Sequence, residues 1–577
     1  MNCFRYSVRE LYKRSKIYTL LYLAFSYIII STSVLQLILT QKLVNSLTYY
    51  SDDLEKQIMQ YIIALIVILY IDGLLTSIRG VSLTHLIEIG IYEDENIILS
   101  KSCKLSVINL DSPDIKDLRN KAKRINIFDI ANSHVDFSVA VIKTIIYCIL
   151  IIYYRCYLLL PVIFLGLIIK SRLQRNSGNK IEQIDRKQTA SNRVSEYLYN
   201  LLVNRDTMQE IKIAGIANYL NEKRKEIYLN NYYERVKVVK ENELRLFGIG
   251  SVITFCNILA LCLLVILCRR YDIAAGVYVL LMQIVIQLYS MIPTISQGYG
   301  KIKTLKIQFE EYKKYLDLEE DSSMQTVENT LSDEALGVKL NNVSFKYPDS
   351  KKEALSEINI DIKPRERVAF VGENGSGKST LVKIILGIYS PDVGNIQWYD
   401  SNNSNGKSDD SKLKVVFQDF IRLLRPIREN VAMGNIYKIN DNKAVNDAII
   451  KAGTPNLEEK LDEYIGPEFG GSDLSGGQWQ KLSIARSYMK DGKLAVFDEA
   501  TSALDAQAEL QQYQSFFAQG VNITSIIVTH RLSITKMVDK IYVIHDGKIV
   551  EYGSHNELYK KNGMYKKMYD AQSTFYA

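Results

Sequence analysis

The residues best equipped for chemistry lie between positions 372 and 530. Residues 372–380 read GENGSGKST, after the apolar run RVAFV and before the helical pattern LVKIILGIY. This is the spacing of a phosphate-binding loop set between a strand and a helix. Gly372, Gly375 and Gly377 let backbone N–H groups approach phosphate oxygens, and Asn374, Ser376 and Thr380 belong to the same cradle. Lys378 is expected to reach the β- and γ-phosphates, and Ser379 to ligate Mg²⁺. Downstream, LAVFDE (494–499) is an apolar strand ending in two carboxylates. Asp498 is expected to hold Mg²⁺, directly or through water, and Glu499 to orient and deprotonate an attacking water. Taken alone, such a run is equally a strand meeting a helix cap. Beside the phosphate loop it reads as the hydrolytic half of an ATPase.

These groups need a rigid sheet behind them. Short β-branched runs alternate with helical segments at Val338–Phe345, Arg367–Val371, Lys414–Phe417, Leu494–Phe497, Ile523–Val528 and Lys540–Ile544. Strands alternating with helices predict a mostly parallel α/β sheet. The polar stretch SNNSNGKSDDS (401–411) is expected to be a flexible surface loop.

The first half of the 577 residues has a different character. Residues 17–40, 58–80, 137–154, 156–170, 245–268 and 273–295 are strongly apolar and suit bilayer spans, 156–170 being short. A purely soluble enzyme and a disordered chain are excluded. Lys and Arg crowd the N-terminal arm and residues 170–240, whereas the connections near 155 and 270 hold few. The positive-inside rule then places the N-terminus and the long loops in the cytoplasm, at the cytoplasmic membrane. The net charge of +7 is accounted for by this distribution, with no nucleic-acid partner expected. All seven cysteines lie in the apolar half without a CxxC or paired metal spacing, so buried thiols are expected rather than a disulfide framework.

Between the loop and the carboxylates lies LSGGQ (474–478), and with it the chain resembles the ATP-binding cassette (ABC) transporters over nearly its whole length. The arrangement is similar to that of half-transporter exporters. It implies an α-helical six-span transmembrane domain over 1–320, a linker over 321–336, and an α/β nucleotide-binding domain over 337–577. The resemblance implies that Ser475, Gly477 and Gln478 meet the nucleotide bound to a second subunit. It implies that Tyr347 stacks on adenine, and that Gln418 links Mg²⁺ and the lytic water to the membrane domain. It assigns Asp505 of SALD to the dimer seam and His530 to the γ-phosphate and Glu499. Leu110–Leu118 and Thr207–Gly215 take the positions of the two coupling helices. ATP and Mg²⁺ are the implied ligands, and a dimer, most simply a homodimer, is the implied working unit. A heterodimer with a degenerate partner is the alternative.

The segment YIGPEFGGSD (464–473) departs from the multidrug pattern, and LSGGQWQKLSIAR is closer to lantibiotic and bacteriocin peptide exporters. The implied activity is ATP-driven export by alternating access, with a peptide as cargo and a lipid or drug as the alternative. An ABC ATPase of DNA repair or translation would lack fused spans, and a channel-like regulator would degrade Glu499 or the signature. Only about sixteen residues precede the first span, too few to fold as a leader peptidase, so the cargo is expected to be moved uncut. Within the spans, Asp72 and Lys143 either pair, line the substrate path, or sit in cytoplasmic helix extensions. Gln283, Gln287 and Ser290 form a stripe that lines a cavity or bonds helices together.

Overall fold

The computed structural model describes residues 3–48, 54–321, 334–348, 350–401, 405–406, 412–499, 506–519 and 522–573. It divides into two compact units, Met1–Lys101 with Asp117–Leu318, and Ser102–Lys116 with Glu319–Ala577.

The first unit is helical. After α1 (Cys3–Arg14), the apolar runs fall in six long helices, α2 (Lys16–Thr48), α3 (Leu54–Lys104), α6 (Ile127–Tyr153), α7 (Leu159–Val203), α9 (Ala217–Arg270) and α10 (Ala275–Leu316). Among the described residues, α2, α3, α6 and α9 are long and apolar enough to cross a membrane, and Ala275–Met291 of α10 is a shorter apolar segment. At about 1.5 Å per residue, α3 and α9 are more than twice as long as a hydrocarbon core is thick, so each continues as charged helix. Short helices bridge these extensions: α4 (Val107–Asp111) and α5 (Pro113–Ala122) between α3 and α6, and α8 (Arg205–Ala214) between α7 and α9. On α8, Ile211 is buried while Ile213 is 90% exposed.

Helix α10 packs on α2 and α6, and α7 runs along α9. Polar ties fix the bundle. Arg14 at the end of α1 meets Asp94 of α3 at 2.7 Å, and the other Asp94 oxygen accepts from the Ile127 N–H at 2.8 Å. One carboxylate therefore ties three helices, and both charged side chains are buried, at 7% and 3% exposed. Removing one member of such a pair costs roughly 3–5 kcal/mol, because the other charge stays in low dielectric.

Deeper in the bundle, of the three arrangements open to Asp72 and Lys143, the ion pair is not the one made. Asp72 accepts from the Thr32 hydroxyl instead, and the Lys143 ammonium lies 5.9 Å from the centre of the Tyr147 ring. Tyr147 donates to the Gln287 side chain, and Ser290 Oγ donates to the Gln287 carbonyl at 2.8 Å. Gln287 is thus an interhelical bond between α6 and α10.

The second unit holds two sheets where one was expected. Strands β1 (Gly337–Phe345), β2 (Leu355–Ile362), β4 (Val393–Tyr399) and β5 (Asn405–Gly406) form an antiparallel sheet ordered β2-β1-β4-β5. So β1 lies outside the parallel sheet, and part of the 401–411 stretch is a strand paired to Trp398 and Tyr399. The main sheet is ordered β10-β9-β3-β8-β7-β6. It comprises β3 (Arg367–Val371), β6 (Leu413–Val416), β7 (Leu494–Asp498), β8 (Thr524–Val528), β9 (Lys540–His545) and β10 (Lys548–Gly553). All its pairings are parallel except β9 with β10.

Alternation along each central strand sends side chains to two separate cores. Val368, Phe370, Val496 and Ile526 pack with the antiparallel sheet and with α11 (Lys378–Ile385). Ala369, Val371, Phe497 and Ile527 pack with the helical side. That side comprises α12 (Ile427–Ala432), α13 (Asn442–Lys451), α14 (Gly476–Tyr488), α15 (Ala506–Gln519), α16 (His555–Lys561) and α17 (Met564–Ser573). Burial on both faces is why these strands read as unbroken apolar runs. Ile108 of α4 rests against the first of these cores, so Ser102–Lys116 joins the second unit although its neighbours in sequence are helices of the first.

Candidate functional site

The site sits where strands β6, β7 and β8 end. Their parallel register pairs Val416 with Phe497 and Asp498 with Val528. Chain continuing past the three strand ends therefore brings Gln418, Glu499 and His530 to one edge of the sheet. Ligands of open parallel sheets bind at this carboxyl edge.

Neighbouring β3 supplies the phosphate loop. Gly377 caps α11 at φ 104°, and a Cβ there would lie 2.7 Å from the Ala354 carbonyl, so the turn needs glycine. The Lys378 ammonium is buried and donates to the carbonyls of Gly372 at 2.9 Å and Glu373 at 2.8 Å. Burial lowers its pKa, while Glu499 and Asp498 act in the opposite direction. Ser376 Oγ is buried with no hydrogen-bond partner, as suits a hydroxyl awaiting an anion's oxygen. Ser379 Oγ donates to Asp498 Oδ1 at 3.4 Å. The Asp498 carboxyl is pushed up by burial and held down by that hydroxyl and by Lys378.

Glu499 has φ 46°, left-handed backbone for a residue with a side chain. Such a conformation costs about 1–3 kcal/mol and persists only where the surroundings impose it. Here the Glu499 N–H donates to the Val528 carbonyl at 3.1 Å. Gln418 Nε2 donates to Glu499 Oε2 at 2.9 Å, and His530 Nε2 is paired with Oε1. Both carboxylate oxygens are thus aimed by side chains from the two flanking strands.

These groups share a cleft of about 660 Å³ with Asn374, Gly375, Gly377, Thr380 and Tyr347. Tyr347 is half-buried; its hydroxyl lies 3.1 Å from Thr380 Oγ1 and its ring meets Phe345 and Tyr389 edge-on. It forms a wall of the cleft.

The signature residues are elsewhere. Ser475, Gly477 and Gln478 do not line this cleft. Ser475 caps α14, accepting from the Gln478 N–H at 3.3 Å, while Gln478 Oε1 accepts from the Ser475 N–H at 2.9 Å. Gln478 therefore shapes the helix start, an exposed turn. Asp505 lies outside the described residues.

Sequence reasoning missed the groups around His530. Thr529 Oγ1 accepts from the Arg531 N–H at 2.9 Å, Arg531 pairs with Glu509, and the Gln572 side chain bonds His530 and Leu532. Thr529 and Arg531 flank His530 directly, but Glu509 is 22 residues and Gln572 42 residues from its partner in sequence.

Residues 355–502, which hold the loop, the signature and both carboxylates, match the family described as ABC transporter. Those residues are an ABC transporter domain. The ABC domain and its helical companion share a fold with a bacterial Atm1-family ABC exporter with ATP bound, at a TM-score of 0.75 over 97% of this chain and 98% of that one, with 20% identity. The chain is 30% identical over 389 residues to the nisin transport ATP-binding protein NisT of Lactococcus lactis subsp. lactis, covering 66% of this chain and 65% of that protein. It is 28% identical over 401 residues to the subtilin transport ATP-binding protein SpaT of Bacillus subtilis, covering 67% and 64%. In both cases the match spans slightly less than two thirds of the relative. An ATP-dependent lipid A-core flippase of Francisella tularensis subsp. tularensis is 35% identical over 238 residues, 41% of this chain and 39% of its own length.

Proposed function

We propose that the chain is half of an ATP-driven exporter, and that two copies together move a peptide across the cytoplasmic membrane. The observation that carries the ATPase part is Glu499, held between Gln418 and His530 beside the phosphate loop. In this role Lys378 and the loop amides bind the β- and γ-phosphates, and Tyr347 offers its face to the base. Ser379 and Asp498 are oxygen donors suited to a hard cation, and Gln418 adds a third contact. Mg²⁺ would neutralise charge developing on the phosphate oxygens. Glu499 takes the proton of the attacking water, and His530 holds the carboxylate in place.

What supports the dimer is that the phosphate loop and the signature do not line one cleft. Each chain has one phosphate loop and one exposed helix start at Ser475 that its own cleft does not use. A second copy supplies that helix start to the γ-phosphate, where N–H groups and the helix dipole favour an anion.

A peptide is favoured over a lipid by the extent of the likeness. The 389-residue match to the nisin transport protein is longer than the segment 337–577, so it runs into the helical half. Matches to lipid A-core flippases are shorter, 238 residues for that of Francisella tularensis and 305 for that of Bordetella avium, so they reach less of the helical half or none of it. The test uses inside-out proteoliposomes of the purified protein with a lanthionine-type precursor peptide and Mg-ATP. Accumulation of peptide in the lumen with ATP, and none with a non-hydrolysable analogue, is expected. ATP-dependent movement of a labelled lipid with no peptide uptake would establish the lipid alternative.

A further inference from the structure

His530 sits just past the end of β8, beyond the sheet's ladder, yet its ring must stay on Glu499. On one side the segment is held by Thr529, whose N–H donates to the Phe370 carbonyl at 3.3 Å. On the other side stands Gln572 of α17. Its Nε2 donates to the His530 carbonyl, and its Oε1 accepts from the Leu532 N–H at 2.9 Å. A primary amide presents a donor and an acceptor together, so it substitutes for the neighbouring strand that the segment lacks.

Helix α17 is itself anchored at its start and along its length. The Glu551 carboxylate on β10 accepts from the N–H groups of Met564 at 2.7 Å and Tyr565 at 3.0 Å, where the helix dipole favours negative charge. Gly563 makes that approach possible, because a Cβ there would lie 1.8 Å from Glu551 Oε1. The buried Tyr565 hydroxyl lies 2.6 Å from Thr535 Oγ1 and 2.7 Å from His555 Nδ1. Between these anchors and Gln572 the helix is a short rigid strut.

We infer that Gln572 is a positioning residue for His530, acting across the strut to keep the imidazole on the Glu499 carboxylate. This rests on the proposal above that Glu499 and His530 serve ATP hydrolysis. Gln572 does not line the cleft, so losing it should slow the chemical step and leave ATP binding alone.

The experiment compares the full-length protein with Gln572→Leu, Gln572→Glu and His530→Ala, measuring ATPase kcat and KM together with Tm. Gln572→Leu keeps the size and loses both hydrogen bonds; kcat should fall about threefold to tenfold with KM for ATP unchanged. Gln572→Glu keeps the acceptor for Leu532 and should recover part of that loss. In the His530→Ala background, Gln572→Leu should have no further effect, because there is no ring left to position. Unchanged kcat in Gln572→Leu, with turnover lost in His530→Ala, would overturn the inference and leave the ATPase proposal standing. A further drop in the His530→Ala background, or a parallel loss of kcat, KM and Tm, would make Gln572 a general structural contact and also overturn it. Full turnover in His530→Ala would overturn both proposals.

Discussion

Glu499→Gln should lower steady-state ATP hydrolysis by about 100- to 10,000-fold, the range general-base catalysis supplies, while ATP affinity stays within about threefold of the parent on the same ground. The substitution preserves shape. Its amide can still meet Gln418 Nε2 and His530 Nε2, the two groups that aim the carboxylate. What it loses is the basic oxygen proposed above to take the proton from water. Because Lys378, Ser376 and Ser379 are untouched, ATP still binds, and the variant should accumulate with nucleotide bound and unhydrolysed. Steady-state ATPase measured beside equilibrium binding of labelled ATP separates the two effects. Turnover near that of the parent would remove Glu499 from the role of base.

Lys378→Ala should fail in the other direction. A charge-assisted hydrogen bond to phosphate is worth about 1.5–3 kcal/mol, so ATP affinity should weaken by about 10- to 100-fold. The ammonium already spans the loop by donating to Gly372 and Glu373, so the loop also loses an internal brace. Thermal stability without nucleotide measures that loss separately. If ATP bound Lys378→Ala as tightly as the parent, the loop would not be the phosphate site.

The two substitutions act on residues legible in the sequence, and the reason is geometric. A phosphate loop is built from contiguous residues, because its backbone folds around the anion, so GENGSGKST could be read directly. Strands β3, β7 and β8 were equally plain, since burial on both faces leaves them apolar throughout. Strands β2, β4 and β10 alternate buried with exposed positions or lie largely open, so they carry charged and polar residues and do not stand out as runs. The antiparallel sheet was missed for that reason. Contacts that depend on distant chain segments could not be read either. Gln287 looked like one of three polar residues on a helix face, and only packing of α10 on α6 gives it Tyr147. Arg14 and Asp94 are 80 positions apart and belong to no motif. Gln572 lies in a polar helix whose sequence gives no hint of His530.

If each ATP site is completed by the signature of a second copy, as proposed above, mixed dimers will reveal it. One copy carries Lys378→Ala and a differently tagged copy carries Gly477→Asp, whose carboxylate would face the γ-phosphate from the start of α14. With ATP near the parent's KM, each variant alone should be nearly inactive. If the signature acts on the partner's cleft, the doubly purified mixed dimer has both lesions in one site and an intact second site. Its ATPase activity should then return to a substantial part, up to about half, of the parent's, on the reasoning that independent sites add. If the signature acts on its own chain's cleft, every site in the mixture carries a lesion. A mixed dimer as inactive as the two single variants would contradict the account.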